Sequence, residues 1–203
     1  MPSEPPPSTL PRTKGASPPD VPVETKPPQG LSLALVTEDG DWSRFGAIAA
    51  TIERAAVALA KVPEIGIADG SEASVVLGND ALVRRLNASY RGKDVATNVL
   101  AFPFQRPPGG PPEADLYLGD VVLAAETVLR EADERAIEPG HHFQHLLVHG
   151  LLHLLGYDHE TGAAAEQMER LETAILASIG VADPHRPTAG EAASGGFESL
   201  ARE

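Results

Sequence analysis

His149-Gly150-Leu151-Leu152-His153-Leu154-Leu155-Gly156-Tyr157-Asp158-His159 carries three histidines at spacings of four and six. On a helix, His149 and His153 stand one turn apart, about 6 Å along the axis at ~1.5 Å rise per residue, so their imidazoles leave one face. Gly156 follows the apolar run as a left-handed helix stop, which lets the chain reverse and bring His159 toward the same point. Three neutral imidazoles without a fourth protein ligand leave a coordination position open, the pattern of a catalytic rather than a structural zinc site. The helix expected over His142 to Leu155 is apolar nearly all round, through Phe143, Leu146, Leu147, Val148, Leu151, Leu152, Leu154 and Leu155, and so must be buried. A buried helix holds its ligands rigidly.

A lone histidine on an apolar helix is ordinarily a satisfied core residue, but three in this register match the long zinc-protease signature His-Glu-x-x-His-x-x-Gly-x-x-His at every position except the second. There the protease carries the glutamate that takes a proton from water. Gly150 occupies that place, so a peptidase built on this site would lack its base.

A second segment, Leu86-Asn87-Ala88-Ser89-Tyr90-Arg91-Gly92-Lys93-Asp94-Val95-Ala96-Thr97-Asn98-Val99-Leu100-Ala101-Phe102-Pro103, joins the histidine stretch in a family resemblance. Together they resemble the YbeY family of bacterial endoribonucleases, whose members pair a Leu-Asn-x-x-Tyr-Arg-x-x-Asp-x-x-Thr-Asp-Val-Leu-Ser-Phe-Pro stretch with a His-Gly-x-Leu-His-Leu-x-Gly-Tyr-Asp-His helix. The resemblance spans roughly residues 31 to 182. It implies a metal-dependent, single-strand-specific endoribonuclease acting in ribosomal RNA maturation, at the small-subunit rRNA 3′ end, and in ribosome quality control. Carried over by position, His149, His153 and His159 are the metal ligands and Arg91 the catalytic basic residue. Asn98 stands where Asp is common and Ala101 where Ser is common. Neither departure touches a ligand; only a polar contact near Asn98 is put in question.

Composition sets the frame. A chain of 203 residues with 42% hydrophobic content supports one core, expected over 31–182. Without cysteine there are no disulfides and no thiolate metal sites, so a metal must be held by imidazole and carboxylate. No 18-residue apolar run and no signal-peptide core occur, which predicts a cytoplasmic protein with no membrane partner. Residues 1–30 hold ten of the nineteen prolines and read as a disordered arm; 183–203 reads as a flexible tail.

Between the tails the pattern alternates. Strands are expected at Leu31–Val36, Ala73–Gly78, Val99–Phe104 and Leu116–Leu123, with a turn cluster at Pro107–Pro112. Helices are expected at Trp42–Lys61, Asp80–Asn87 with Asp80 near its N-cap, Ala125–Ile137, His142–Leu155 and Ala163–Ser178. The fold class is α/β (α+β): a small mixed sheet packed against several helices, with the metal-binding helix at its centre.

Of the remaining histidines, His145 lies a further turn from the ion and reads as structural or as support for a ligand. His141 and His142, after Pro139-Gly140, read as solvated. Asp158 reads either as an orienting carboxylate or as a turn former.

Charge weighs against free RNA as a partner, since a formal −13 repels a polyanion. From Asp80 to Arg106, however, Arg84, Arg85, Arg91, Lys93 and Arg106 face only Asp80 and Asp94, a local +3 on a remainder of −16. Arg91 and Lys93, in a glycine-containing loop, are the better phosphate ligands; Arg84 and Arg85 read equally as a solvated helix face. The expected chemistry is cleavage of RNA phosphodiesters at one zinc ion per chain, with ribosomal RNA as substrate, a ribosomal subunit or ribosome-associated protein as recruiting partner, and no DNA. The competing readings are a metallopeptidase-like hydrolase and a non-catalytic ribosome-assembly factor with a structural metal.

Overall fold

The computed structural model describes residues 30–106, 108–109, 116–159 and 161–184. The expected arm, apart from Gly30, the tail beyond Pro184 and most of the Pro107–Pro112 cluster lie outside the described residues. Four strands form one mixed sheet in the order β1-β2-β4-β3. β1 (Leu31–Thr37) runs parallel to β2 (Ser71–Gly78), β2 parallel to β4 (Tyr117–Ala124), and β3 (Val99–Pro103) antiparallel to β4.

The alternation of strand side chains divides the interior in two. Val121 and Leu123 of β4 face the main core with Leu147 and Leu151, whereas Val122 and Ala124 face a smaller cluster with Val83 and Leu100. β4 is therefore buried on both faces, which explains its unbroken Val121–Ala124 apolar run. On the main-core side lie α1 (Ile48–Ala60), α4 (Pro139–Leu154) and α5 (Gly162–Ser178); α2 (Asp80–Arg91) covers part of the other face, and α3 (Ala125–Glu134) follows β4 directly. No helix among the described residues is long and apolar enough to cross a membrane.

Four helix boundaries depart from the sequence reading, one of them the end of α3 at Glu134 instead of Ile137. The helix expected over Trp42–Lys61 is split: Ser43–Phe45 is a 3-10 turn, Gly46 takes φ +72°, and α1 begins at Ile48. The split seats Trp42 and Phe45 on Phe143, with ring centroids 5.8 and 6.0 Å from it. α4 starts at Pro139 rather than His142, because Glu138 caps it by accepting the His141 amide at 2.8 Å and proline suits the first turn. α2 runs to Arg91, one turn past Asn87, and stops at Gly92 in the left-handed region with φ +68°. Its N-cap is Asn79, which accepts the Leu82 amide; Asp80 instead accepts from the Thr127 amide and hydroxyl, tying α2 to α3. Arg91 thus stands on the last turn of a helix, not in a loop.

Candidate metal centre

The C-terminus of α4 is built by two hydrogen bonds that reverse the chain. The Gly156 amide donates to the His153 carbonyl at 3.1 Å and the Tyr157 amide to the Leu152 carbonyl at 3.1 Å, with Gly156 at φ +87°. This is a Schellman closure, and only a residue tolerant of the left-handed region fits its turning point. The reversal returns His159 to the last turn of α4, its ring centroid 5.3 Å from that of His153 and 5.8 Å from that of His149. One nitrogen from each of His149, His153 and His159 lies within 4.8 Å of the others.

The outer nitrogens of two of these rings are committed. His153 Nδ1 lies 2.9 Å from the Tyr157 carbonyl oxygen, an acceptor only, so Nδ1 carries the proton and donates. His149 Nδ1 lies 3.3 Å from Glu172 Oε1, again an acceptor when ionised. With the proton of each ring on Nδ1 the two Nε2 lone pairs converge, and these atoms lie 3.1 Å apart, within hydrogen-bond reach of each other. Two ring nitrogens that close share either a proton or a cation. The donor set therefore fits a borderline divalent metal held by imidazole, with His159 exposed at the rim. Burial, then the neighbouring His149, pulls His153 below the ordinary imidazole range; the Tyr157 hydrogen bond opposes this, and His159 and Arg91 add to it. Arg91 is thus near enough for its positive charge to be felt at His153.

Glu172, on α5, did not figure among the site residues read from sequence. It is 1% exposed, and its Oε1 lies 3.2 Å from His145 Nε2 as well as 3.3 Å from His149 Nδ1. Burial works to raise its pKa, yet the two imidazoles beside it, His145 and His149, together prevail and hold the carboxyl well below the usual carboxylate range. His145 thus backs the ligand stripe instead of joining His153 and His159. His142, read as solvated, is 2% exposed and lies 2.9 Å through Nε2 from Glu131 Oε2; the earlier start of α4 turns it inward, while His141 is exposed.

Asn98 also joins this network. Its amide nitrogen donates to Glu131 Oε2 at 2.9 Å, and its Oδ1 accepts the Val99 amide at 2.7 Å. An aspartate at 98 would set two carboxylates against each other, so Asn98 suits a chain with Glu131 there. Gly150 is packed on the sheet: a Cβ there would stand 2.7 Å from Val121 Cγ1.

The basic residues have different surroundings. Lys93 is exposed beyond Gly92. Arg84 forms a two-pronged ion pair with Asp94, at 2.6 and 2.8 Å, and both side chains are exposed. Arg85 borders a small surface hollow with Glu38, Asp39, Asn79 and Leu82.

Sequence comparison with known proteins gives a consistent answer. The family model described as "Endoribonuclease YbeY" matches residues 43–180. An "Endoribonuclease YbeY" of Bradyrhizobium diazoefficiens is 44% identical over 176 residues, covering 86% of this chain and 91% of the relative. Another, from Bradyrhizobium sp. strain BTAi1, is 50% identical over 136 residues, or 66% of this chain and 80% of that one. A Thermotoga maritima protein solved in solution aligns with a TM-score of 0.48 and 22% identity, over 77% of this chain and 100% of its own.

Proposed function

The chain belongs to the YbeY endoribonuclease family, and on that premise we propose that it is a zinc-dependent, single-strand-specific endoribonuclease acting in ribosomal RNA maturation. The observation that carries the metal assignment is the convergence of the His149 and His153 Nε2 atoms, 3.1 Å apart, with His159 closing the group. These three residues would hold one zinc ion per chain. Bound there, zinc would supply Lewis-acid charge beside a phosphoryl oxygen and make water more acidic.

The chain's own groups supply the rest. Arg91, on the last turn of α2, stabilises charge as it gathers on the phosphorus oxygens. The Tyr157 carbonyl accepts from His153 Nδ1 and so turns the Nε2 of that ring toward the group. Lys93 contacts backbone phosphates. Arg84 does so by exchanging Asp94 for a phosphate, an exchange of low cost for an exposed ion pair. Arg85, with Glu38 and Asp39 beside it, is the weakest of the basic ligands. RNA carries its own nucleophile in the 2′-hydroxyl, so the chemistry does not need the base that Gly150 replaces.

The acidic body argues for recruitment by a ribosomal subunit or a ribosome-associated protein in the cytoplasm, with neither DNA nor membrane as partner. End-group analysis of RNA incubated with the wild-type protein and with His149→Ala tests the whole reading. Defined new 5′ and 3′ ends with the wild type alone are expected. Equal cleavage by both proteins would remove the metal centre from the reaction, and no cleavage by either would favour a binding factor with a structural metal.

A further inference from the structure

Glu172 is a carboxylate in an apolar place. Met168, Leu171, Ile175 and Leu176 bury the same stripe of α5, and each is at most 2% exposed. Burying a carboxylate there is costly unless hydrogen-bond donors compensate it. Replacing buried ionic groups by well-packed apolar ones is often neutral or stabilising, so stability is a poor account of this residue. Its surroundings suggest another role. His145, His149 and His153 follow one another at four-residue intervals along α4, and α5 brings Glu172 against the first two.

We propose that Glu172 is a positioning residue for the metal centre: its carboxylate accepts the Nδ1 proton of His149 and thereby presents the bare Nε2 of that ring to the ion, while His145 anchors the carboxylate from behind. The proposal rests on the three-histidine metal reading above. An imidazole left to itself exchanges its proton between the two nitrogens, and only the form protonated at Nδ1 can ligate through Nε2. A carboxylate behind the ring selects that form, fixes the ring plane and increases the basicity of the ligating nitrogen. The Tyr157 carbonyl does the same for His153, without the negative charge.

The test uses the full chain as wild type, Glu172→Gln and Glu172→Leu, with zinc competed against a chelator, cobalt(II) as a coloured substitute, and nitrogen-15 spectra of the His149 ring in the metal-free protein. Glu172→Leu is expected to keep the fold, weaken zinc binding by about 10- to 100-fold, alter the cobalt spectrum and release His149 toward the Nε2-protonated form. Glu172→Gln, which retains an acceptor but loses the charge, is expected to weaken zinc less and to keep His149 protonated at Nδ1. It supplies the result should the leucine variant not fold. Wild-type protein that binds zinc tightly, with both variants binding equally well and His149 unchanged, would overturn the positioning role and leave the metal reading standing. So would two zinc ions per wild-type chain with the second lost on Glu172→Leu, since His145, His149 and Glu172 would then be a second cation site. Wild-type protein that binds no zinc would overturn the metal reading itself, and this role with it.

Discussion

Gly150 lies flat against Val121: a Cβ at position 150 would stand 2.7 Å from Val121 Cγ1 and 3.2 Å from its Cγ2, with Val99 Cγ2 at 3.4 Å. The position where the zinc-protease signature carries its glutamate is therefore a helix-to-sheet contact here. A carboxylate side chain has no room there unless Val121 or α4 moves. The missing base is thus a consequence of how this fold seats its metal helix, which removes the peptidase reading on steric as well as chemical grounds.

Crowding at Gly150 sets the first prediction. Gly150→Ala forces Val121 or α4 to shift and is expected to cost about 1–3 kcal/mol by overpacking. Gly150→Glu is expected to yield little folded protein and no peptidase activity. Thermal melts of both variants against the wild type check this, and a Gly150→Glu protein with wild-type stability would show that α4 is free to lift from the sheet.

The second prediction concerns the ligands. Purified protein is expected to hold about one zinc per chain, and His149→Ala or His153→Ala to lose it along with RNA cleavage. Zinc that binds only the folded state stabilises by ~2.7 kcal/mol at one hundred times its dissociation constant, so chelation should lower the melting temperature of the wild type and leave the variants unmoved. Full zinc occupancy in His153→Ala, by elemental analysis, would refute the ligand assignment.

Arg91 is exposed at the end of α2. Arg91→Ala is therefore expected to keep zinc content and melting temperature while losing cleavage equivalent to ~2.7–4 kcal/mol, the scale of one preorganised charge-stabilising donor. Unchanged turnover would reduce Arg91 to a helix-end residue that favours the dipole.

The parts of the site that were legible in the sequence are those encoded by local spacing. Two histidines one turn apart and a glycine after the apolar run specify a face and a stop, and α4 with Gly156 at φ +87° realises both. The sheet class followed from short apolar runs between turn residues. What escaped were long-range choices. Glu172 reads locally as an ordinary helical glutamate, although its place in the stripe Met168, Leu171, Ile175, Leu176 is a visible anomaly: a carboxylate at a core position. His142 seemed solvated because the helix start was set at His142, when Pro139 and Glu138 give the first turn and rotate His142 onto Glu131. The sequence reading ends α2 at Asn87. In the structure its side chain donates to the Val95 carbonyl at 2.8 Å and the helix runs on to Gly92.

Burial of His142 predicts a pH dependence. Desolvation, the largest influence, pushes its pKa below the ordinary 6.5, with Glu131 opposing and the charges of His145 and Arg135 adding. Between its folded value and about 6.5 the unfolded chain binds a proton that the folded one does not, so stability falls as pH drops through that window and levels off below it. In the metal-free protein His153 acts in the same direction. Denaturant midpoints measured from pH 8 to 5 on metal-free protein should fall toward acid, and less steeply in His142→Gln. Equal slopes in the two proteins would mean that His142 titrates alike folded and unfolded.

Recruitment makes the last prediction. The segment 80–106 carries +3 on a remainder of −16, and Arg84, one of its five cations, is paired with Asp94. Few phosphates can be neutralised by such a surface, so the logarithm of affinity for free RNA should fall only gently with the logarithm of salt, with a slope of a few rather than the steep dependence of a basic groove. The acidic body also slows encounter with a polyanion. A partner that docks the protein beside its substrate raises the effective concentration of RNA at the centre without any basic surface on the enzyme. Cleavage per enzyme on the same ribosomal RNA, naked and within subunits, is therefore expected to favour the subunits strongly at physiological salt and to converge as salt is lowered. Equal rates on both substrates with a steep salt slope would mean that Arg84, Arg85, Arg91, Lys93 and Arg106 assemble into a continuous phosphate-binding groove and that recruitment is unnecessary.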